Sequence, residues 1–596
     1  MSNWKKWGGP LDESGAMWFV NRDEELEWLW EWASNVPNSY PSLALIGLRR
    51  TGKTAILHKL YNRLYHEQTK VMPVYISFAE YVRERKMITA FEFVKEYYEG
   101  YLRSYLAFKY RKPHLQARKA QHDQLVEFTL SVSDKMALEM IDLIGLYKER
   151  KDPLEKGRMS QVIALPRAFV REYETPTMII IDEFQALTEV VDVNYNNRVY
   201  DVTNFFQHAS ETMDAPLIVS GSSVSMMIEQ ALGGSVSGRF DPIYIDALEE
   251  GDAVDMIIRL GDVYNIQTPP DLIQEVWEAS KGYPYSIECM MRSRMIRQRN
   301  PSDSEWLEKF IIHMLTNRHS PLRVHYHEEY GKYITRMNPV TRQVLLWIIK
   351  HPKRRIFADE IAAELALKEA DVQQSLDQLY EVDVIESTGW LSFEGPRDPM
   401  LRKYIRYQHN HEVEKLAPEQ ALDDIRTEIN RIRGEASRKV GHLAEVIVAA
   451  VMSKFDQRVV DGKSYFGLIG DVELPNFQQL ERREGIIKQG DYNEVDVIGE
   501  YRIPTDDPKV SKRGAWLVSV RYREQKMGEG EVKKFMGHAA VIQKEKQYDE
   551  VIHWYFSKRG FTQAGIRLLE GEGIFHSDVE QFNKLANLFG FLGLHF

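Results

Sequence analysis

An α/β fold built around a parallel β-sheet is what this sequence predicts, on three observations. Ser42–Ile46, Met72–Phe78 and Met178–Ile181 are apolar runs of strand length, the pattern of strands buried on both faces. Helical periodicity lies between them: Ile56, Leu60 and Leu64 follow the first run at four-residue spacing. Joining that run to that helix is Gly47-Leu48-Arg49-Arg50-Thr51-Gly52-Lys53-Thr54, which fits G-x-x-x-x-G-K-[ST].

The last pattern has a chemical reading. Gly47 and Gly52 let successive backbone N–H groups turn inward around phosphate oxygens, and the N-terminus of the next helix favours the negative charge. Arg50, Thr51, Lys53, Thr54 and Ala55 complete the expected contacts. Lys53 reaches the β- and γ-phosphates, and the Thr54 hydroxyl ligates Mg²⁺. Downstream, Thr177-Met178-Ile179-Ile180-Ile181-Asp182-Glu183-Phe184 is an apolar strand ending in two carboxylates. Such an end faces the nucleotide in a parallel sheet. Asp182 then holds Mg²⁺, and Glu183 orients or activates the attacking water; the plainer account is a buried strand followed by an acidic turn. A further strand, Pro216–Ser220, runs into Gly221-Ser222-Ser223, where Ser220 or Ser222 can sense the γ-phosphate or simply serve the turn. Gly238-Arg239-Phe240 precedes one more strand, Ile243–Ile245. Arg239 there is either a finger that stabilises transition-state charge or half of a structural ion pair.

Composition narrows the alternatives. A hydrophobic fraction of 43% with 28% charged residues is ordinary for a globular chain, and 596 residues allow three to five domains. No run approaches the ~18 apolar residues of a membrane span, and the first residues carry no apolar signal segment, so a cytoplasmic protein without membrane contact is expected. The single cysteine, Cys289, excludes an intramolecular disulfide framework and any multi-thiolate zinc site. A formal charge of −11 argues against a generally basic nucleic-acid coat and leaves room for a local basic groove.

Taken in order, Asn21-Arg22-Asp23-Glu24-Glu25-Leu26, the glycine-rich loop, Ile-Ile-Ile-Asp-Glu-Phe, Ser-Gly-Ser-Ser and Gly-Arg-Phe resemble the archaeal-type ATPase family, in the STAND/AAA+ branch of P-loop NTPases and related to the origin-recognition ATPases. Lys281-Gly282-Tyr283-Pro284-Tyr285 is similar to the G-x-P motif of the helical lid in STAND proteins. The resemblance implies that Arg22 lies near the base or ribose, that Pro284 and its neighbours lie over the nucleotide, and that Arg239 is the finger. Two departures stand out: a long, charged helical insertion at about 82–170, and no sensor-2 arginine at the lid motif.

Residues 336–408 read as a winged helix, with Val344–Ile349, Phe357–Leu365 and Ala370–Tyr380 as helices and Trp390-Leu391-Ser392-Phe393 in the wing. Glu369, Asp371, Asp377 and Glu381, on and flanking the third helix, oppose DNA, whose binding is dominated by phosphate charge, so the alternatives are DNA reading and a protein-docking or autoinhibitory role. The last domain, from Gly441–Val448 through Asn493–Gly499 to Ala515–Tyr522, resembles the PD-(D/E)XK nuclease-like domain carried by many archaeal-type ATPases. Glu445 and Asp496 match its first two metal ligands, a vestigial Mg²⁺ site by that likeness. Its E-x-K pair is replaced by Ser519 and Arg521, which offer neither a ligand charge nor a base, and Glu494, Glu500 or Glu524 are the remaining recruits.

The expected organisation is therefore a tail (1–18), a P-loop core (19–250), a helical lid (251–335), a winged helix (336–408), a helical connector (409–437) and a degenerate PD-(D/E)XK-like domain (438–596). The expected activity is Mg²⁺-dependent ATP binding and hydrolysis in a STAND/AAA+ switch that acts on or with DNA, with homo-oligomers formed if Arg239 works between chains. A signalling NTPase with a protein partner and an ATP-gated nuclease are the alternatives.

Overall fold

The computed structural model describes residues 9–11, 19–39, 41–79, 88–116, 122–149, 156–185, 187, 191–192, 194–195, 198–199, 202–210, 213–221, 227, 239–297, 305–331, 336–351, 355–389, 392–488, 491–504, 512–523, 525–591 and 593–594. The chain forms two compact units. One comprises 1–266, 280–297 and 310–423, the other 267–279, 298–309 and 424–596.

The first unit is organised by a five-stranded sheet of β1 (Ser42–Ile46), β2 (Met72–Ser77), β3 (Thr177–Asp182), β4 (Leu217–Gly221) and β5 (Phe240–Tyr244), in the order β2-β3-β4-β1-β5. Every pairing is parallel. β1, β3 and β4 are buried along their whole length, as the continuous apolar runs require when helices cover both faces. The α/β expectation is met, with one displacement. β5 begins at Phe240 rather than Ile243, because it pairs with β1 from Ser42↔Phe240 to Ile46↔Tyr244. As an edge strand it tolerates Pro242 and exposes Asp241, so its sequence carries no apolar run.

Helix α1 (Asp23–Ser34) precedes β1, and α2 (Lys53–Glu67) follows it. Between β2 and β3 the described residues include four helices of eleven residues or more: α3 (Ala90–Tyr110), α4 (His122–Val132), α5 (Lys135–Glu149) and α6 (Lys156–Tyr173). Asp134 fixes that segment, accepting from Tyr105 Oη, Tyr110 Oη, Lys109 Nζ and the Ala137 N–H at 2.7–3.1 Å. Further on come α7 (Glu250–Tyr264), α8 (Pro270–Ser280), α9 (Pro284–Arg292) and α10 (Pro321–Tyr326). Then α11 (Pro339–Lys350), α12 (Ala358–Leu365) and α13 (Glu369–Glu381) lead to a hairpin of β6 (Glu386–Gly389) and β7 (Ser392–Glu394), closed by α14 (Pro399–Gln408). Ile356 bridges to Phe393 as a third pairing of that hairpin. Trp390 and Leu391 lie outside the described residues.

The second unit holds a sheet of β8 (Gln479–Lys488), β9 (Asp491–Ile503), β10 (Lys512–Arg521), β11 (Glu550–Ser557) and β12 (Phe575–Ser577), in that order. The first two pairings are antiparallel and the last two parallel. Alternate residues of β10 serve two cores. Trp516, Val518 and Val520 pack with α15 (Asp423–Met452) and α18 (Val579–Leu588), whereas Ala515 and Leu517 pack with α16 (Glu529–Lys546) and α17 (Gln563–Gly571). α15 is continuous, with Ile425, Ile429, Ile432, Ala436, Val440, Ala444 and Val448 buried at helical spacing, so the expected 437/438 boundary falls inside one helix. Part of the expected lid also belongs here: Glu278 of α8 pairs with Lys439 of α15 at 3.1 Å.

Candidate active site

The site begins where β1 ends. A Cβ on Gly47 would lie 2.3 Å from the Ile245 carbonyl oxygen, so only glycine lets the loop pass. Arg50 (φ 66°) and Gly52 (φ 104°) turn the backbone through the left-handed region before α2 starts. Gly52 caps α2 without a side-chain hydrogen bond, so the first-turn N–H groups are left to an anion.

Lys53, the first residue of α2, folds back into this loop, and its Nζ donates to the carbonyls of Gly47 (2.7 Å) and Leu48 (2.8 Å). Burial pushes its pKa down to about 8, with the nearby carboxylates of Glu183 and Asp182 opposing the shift. Thr51 Oγ1 donates to the Leu48 carbonyl at 3.0 Å. Ala55 follows in the first turn of α2.

β3 lies between β2 and β4, and so Asp182 at its tip is surrounded by hydroxyls. Thr54 Oγ1 (2.9 Å) and Tyr75 Oη (2.9 Å) donate to Oδ2; Ser220 Oγ donates to Oδ1. The Glu183 N–H also reaches Oδ1 at 3.2 Å. Glu183 takes φ 59°, a strained conformation for a non-glycine residue, and its Oε2 accepts from Gln185 Nε2 at 2.5 Å. Thr54 and Asp182 thus bring hard oxygens together beside the loop, a donor chemistry that suits Mg²⁺. Lys53, Thr54, Asp182 and Glu183 meet at the C-terminal edge of the sheet, where open α/β folds bind ligands.

The other expected residues are placed more variously. Ser220 reaches Asp182; Ser222 lies outside the described residues. Arg22 (φ 66°) donates to the Asp246 carbonyl and pairs with Glu25 at 3.0 Å. Pro284 opens α9 beside Gly282 (φ 82°), where a Cβ would meet the Leu248 carbonyl oxygen at 1.9 Å. Next to Pro284, the Tyr285 ring lies 3.8 Å from the Arg50 guanidinium carbon, a cation–π contact between the loop and α9. His325 touches the same ring edge-on, and burial with the charges of Arg50 and Arg49 lowers its pKa to about 3, keeping it neutral. Arg239 precedes Phe240, which pairs with Ser42 at the N-terminal end of β1. That is the opposite end of the sheet from the loop, about 16 Å along a five-residue strand. Tyr75 and Gln185 carry no motif that marks them as site residues; the signal for Tyr75 is a phenol hydroxyl inside the apolar part of β2.

The expected vestigial metal pair is occupied differently. Arg483 Nε and Nη2 bind Glu445 Oε2 (2.8 Å) and Oε1 (3.2 Å). Asp496 Oδ2 accepts from Ser519 Oγ (3.1 Å), the Val520 N–H (2.7 Å) and Arg521 Nη1 (2.6 Å). Glu500 is engaged by Arg513 at 2.8 Å and by Tyr548, and Glu524 lies outside the described residues. Among the described residues no group of three or more His, Cys, Asp or Glu side chains is arranged to hold a metal ion. Among them, too, no helix is long and apolar enough to cross a membrane.

With this geometry in hand, comparison with known proteins gives one family match: residues 19–290 fit the ATPase domain predominantly from Archaea. No curated protein is matched. Among solved structures, the chain is similar to a Walker-type ATPase of Pyrococcus abyssi at 18% identity and TM-score 0.44, over 65% of this chain and 96% of that one. It is similar to Cdc6p of Pyrobaculum aerophilum at 14% identity and TM-score 0.32, over 68% and 99%. It is also similar to the Aeropyrum pernix ORC1 protein, solved in complex with DNA, at 12% identity and TM-score 0.30, over 67% and 95%.

Proposed function

We propose that this chain is an ATP-hydrolysing switch of the STAND/AAA+ type that acts with nucleic acid. The observation that carries the ATPase reading is the meeting of Lys53, Thr54, Asp182 and Glu183 at one sheet edge beside an uncapped helix N-terminus. In this reading the triphosphate replaces the Gly47 and Leu48 carbonyls as partner of the Lys53 ammonium. A charge that burial in the loop penalises is then compensated by phosphate. Thr54 and Asp182 are the residues that would hold Mg²⁺, which when bound neutralises charge on the phosphate oxygens. Glu183, steadied by Gln185, accepts the proton of the attacking water.

Arg239 fits a role on a second copy of the chain, since its own loop is at the far end of the sheet. ATPase rate per chain should then rise with protein concentration, and a flat specific activity across a wide dilution series would remove that role. The Arg50–Tyr285 contact gives α9 a direct link to loop occupancy. What supports nucleic acid as partner is the resemblance of the motifs at residues 21–26, 47–54 and 179–184 to the archaeal-type ATPases, a family related to the origin-recognition ATPases. Against it stand Glu369, Asp371, Asp377 and Glu381, all exposed on α13, which favour a basic protein partner as the second reading.

Two measurements decide. Glu183→Gln should leave ATP binding intact and lower turnover by roughly 10²-fold or more; normal turnover would exclude Glu183 as base. Duplex DNA should stimulate hydrolysis, with a binding constant that falls steeply as salt rises; no binding at low salt would leave the protein-partner reading.

A further inference from the structure

The carboxylates that the nuclease likeness assigns to a divalent cation are surrounded by donors that do not fit one. Glu445 and Asp496 are 5% and 8% exposed, so each needs a compensating partner. For Glu445 it is the bidentate Arg483 guanidinium, which takes both oxygens. For Asp496 it is Arg521, and with Ser519 and the Val520 N–H three donors already share Oδ2, more than its two lone pairs serve well. Arg483 is placed by its backbone. It faces Asp496 between the pairs Arg482↔Val497 and Glu484↔Val495, and takes φ 55°, a conformation a non-glycine residue keeps only when its surroundings hold it. The carboxylates of Glu445, Glu494 and Asp496 together stabilise its charge, raising its pKa. Arginine stays protonated at any working pH, so this positive charge is permanent.

We propose that Arg483 and Arg521 are resident counter-cations of the Glu445–Asp496 pair, so that this domain takes up no divalent metal, and that removing Arg483 uncovers a latent cation site. A divalent ion would have to break the bidentate Glu445–Arg483 ion pair and leave that guanidinium without its carboxylate, whereas removing Arg483 releases both Glu445 oxygens while Arg521 keeps its hold on Asp496 Oδ2.

The test measures Mn²⁺ binding by electron paramagnetic resonance on the full chain without nucleotide. An Asp182→Asn background silences the first unit's carboxylate, so that failure here is separable from failure of the ATPase reading. The background chain should bind no Mn²⁺ at this pair. Arg483→Ala should gain one ion per chain, at least about tenfold tighter than its parent, and adding Asp496→Asn should abolish the gain. Arg483→Lys, which keeps a positive charge, should gain none. If Arg483→Ala does not melt as a folded chain, Arg483→Gln is read in its place. Mn²⁺ bound by the background chain and lost with Asp496→Asn would overturn the proposal. So would a folded Arg483→Ala or Arg483→Gln chain that gains no ion.

Discussion

Asp182 and Asp496 both sit on an interior strand of a five-stranded sheet, both are buried, and both receive several donors, yet their neighbours differ in charge. Around Asp182 the side-chain donors are hydroxyls, from Thr54, Tyr75 and Ser220. A hydroxyl is neutral and can turn from donor to acceptor, so a cation can enter among these groups with its charge still needed. Around Asp496 the strongest donor is the Arg521 guanidinium, and Arg483 saturates the companion Glu445. There the counter-charge is covalently part of the chain. The same acidic residue is thus open or closed to metal according to whether its neighbours bring charge of their own.

The contrast can be broken most forcefully at the first site. Lys53→Ala should abolish ATP binding or turnover, and Asp182→Asn should lower hydrolysis by roughly 10²-fold or more. The equivalent Asp496→Asn should leave the ATPase rate unchanged. Equal effects of the two asparagine variants on ATPase rate would erase the distinction.

A smaller effect is expected on stability. Arg521→Ala leaves Asp496 with fewer donors in a buried setting and should cost about 1–2 kcal/mol, discounted because the arginine is one-third exposed. Thermal melting followed on the second unit's buried Trp516 and Trp554 reads this directly. An unchanged melt would mean that Ser519 and the Val520 N–H suffice.

Protonation sharpens the comparison, because Arg483 and Arg521 do not titrate while Lys53 does. The pKa of Lys53 is lowered from 10.5 to about 8, chiefly by burial in the loop. The unfolded chain therefore binds more protons between these values, and in nucleotide-free buffer the protein should gain stability as pH rises through that window. ATP requires the charged form, so its affinity should be constant below about pH 8 and fall by up to tenfold per unit above it. Lys53→Arg should flatten that fall, and a wild-type profile already flat to about pH 10 would remove Lys53 as the titrating group. Least of all, Tyr75→Phe removes one neutral hydrogen bond to Asp182, about 1 kcal/mol, and should weaken Mg²⁺-dependent ATP binding several-fold.

What the sequence made legible follows the range over which each interaction acts. The loop and the Asp182–Glu183 pair are contiguous motifs, and β1, β3 and β4 announce themselves because burial on both faces demands unbroken apolar runs. Tyr75 acquires its role only when β2 pairs with β3, and Arg483 only when β8 pairs with β9 and a left-handed residue re-aims the side chain. β5 was misplaced by three residues because an edge strand need not be apolar. Each of these depends on pairing between distant segments, which a linear pattern does not encode.

The position of Arg239, one strand-length from the loop on its own subunit, has a consequence for any assembly in which it works as a finger. Donor and acceptor surfaces are then different faces, so neighbours must stack head to tail. In an open stack the end subunit whose loop faces outward has no finger supplied to it. Closing the ring, or capping that end with another protein, would be the only way to bring every loop to full activity.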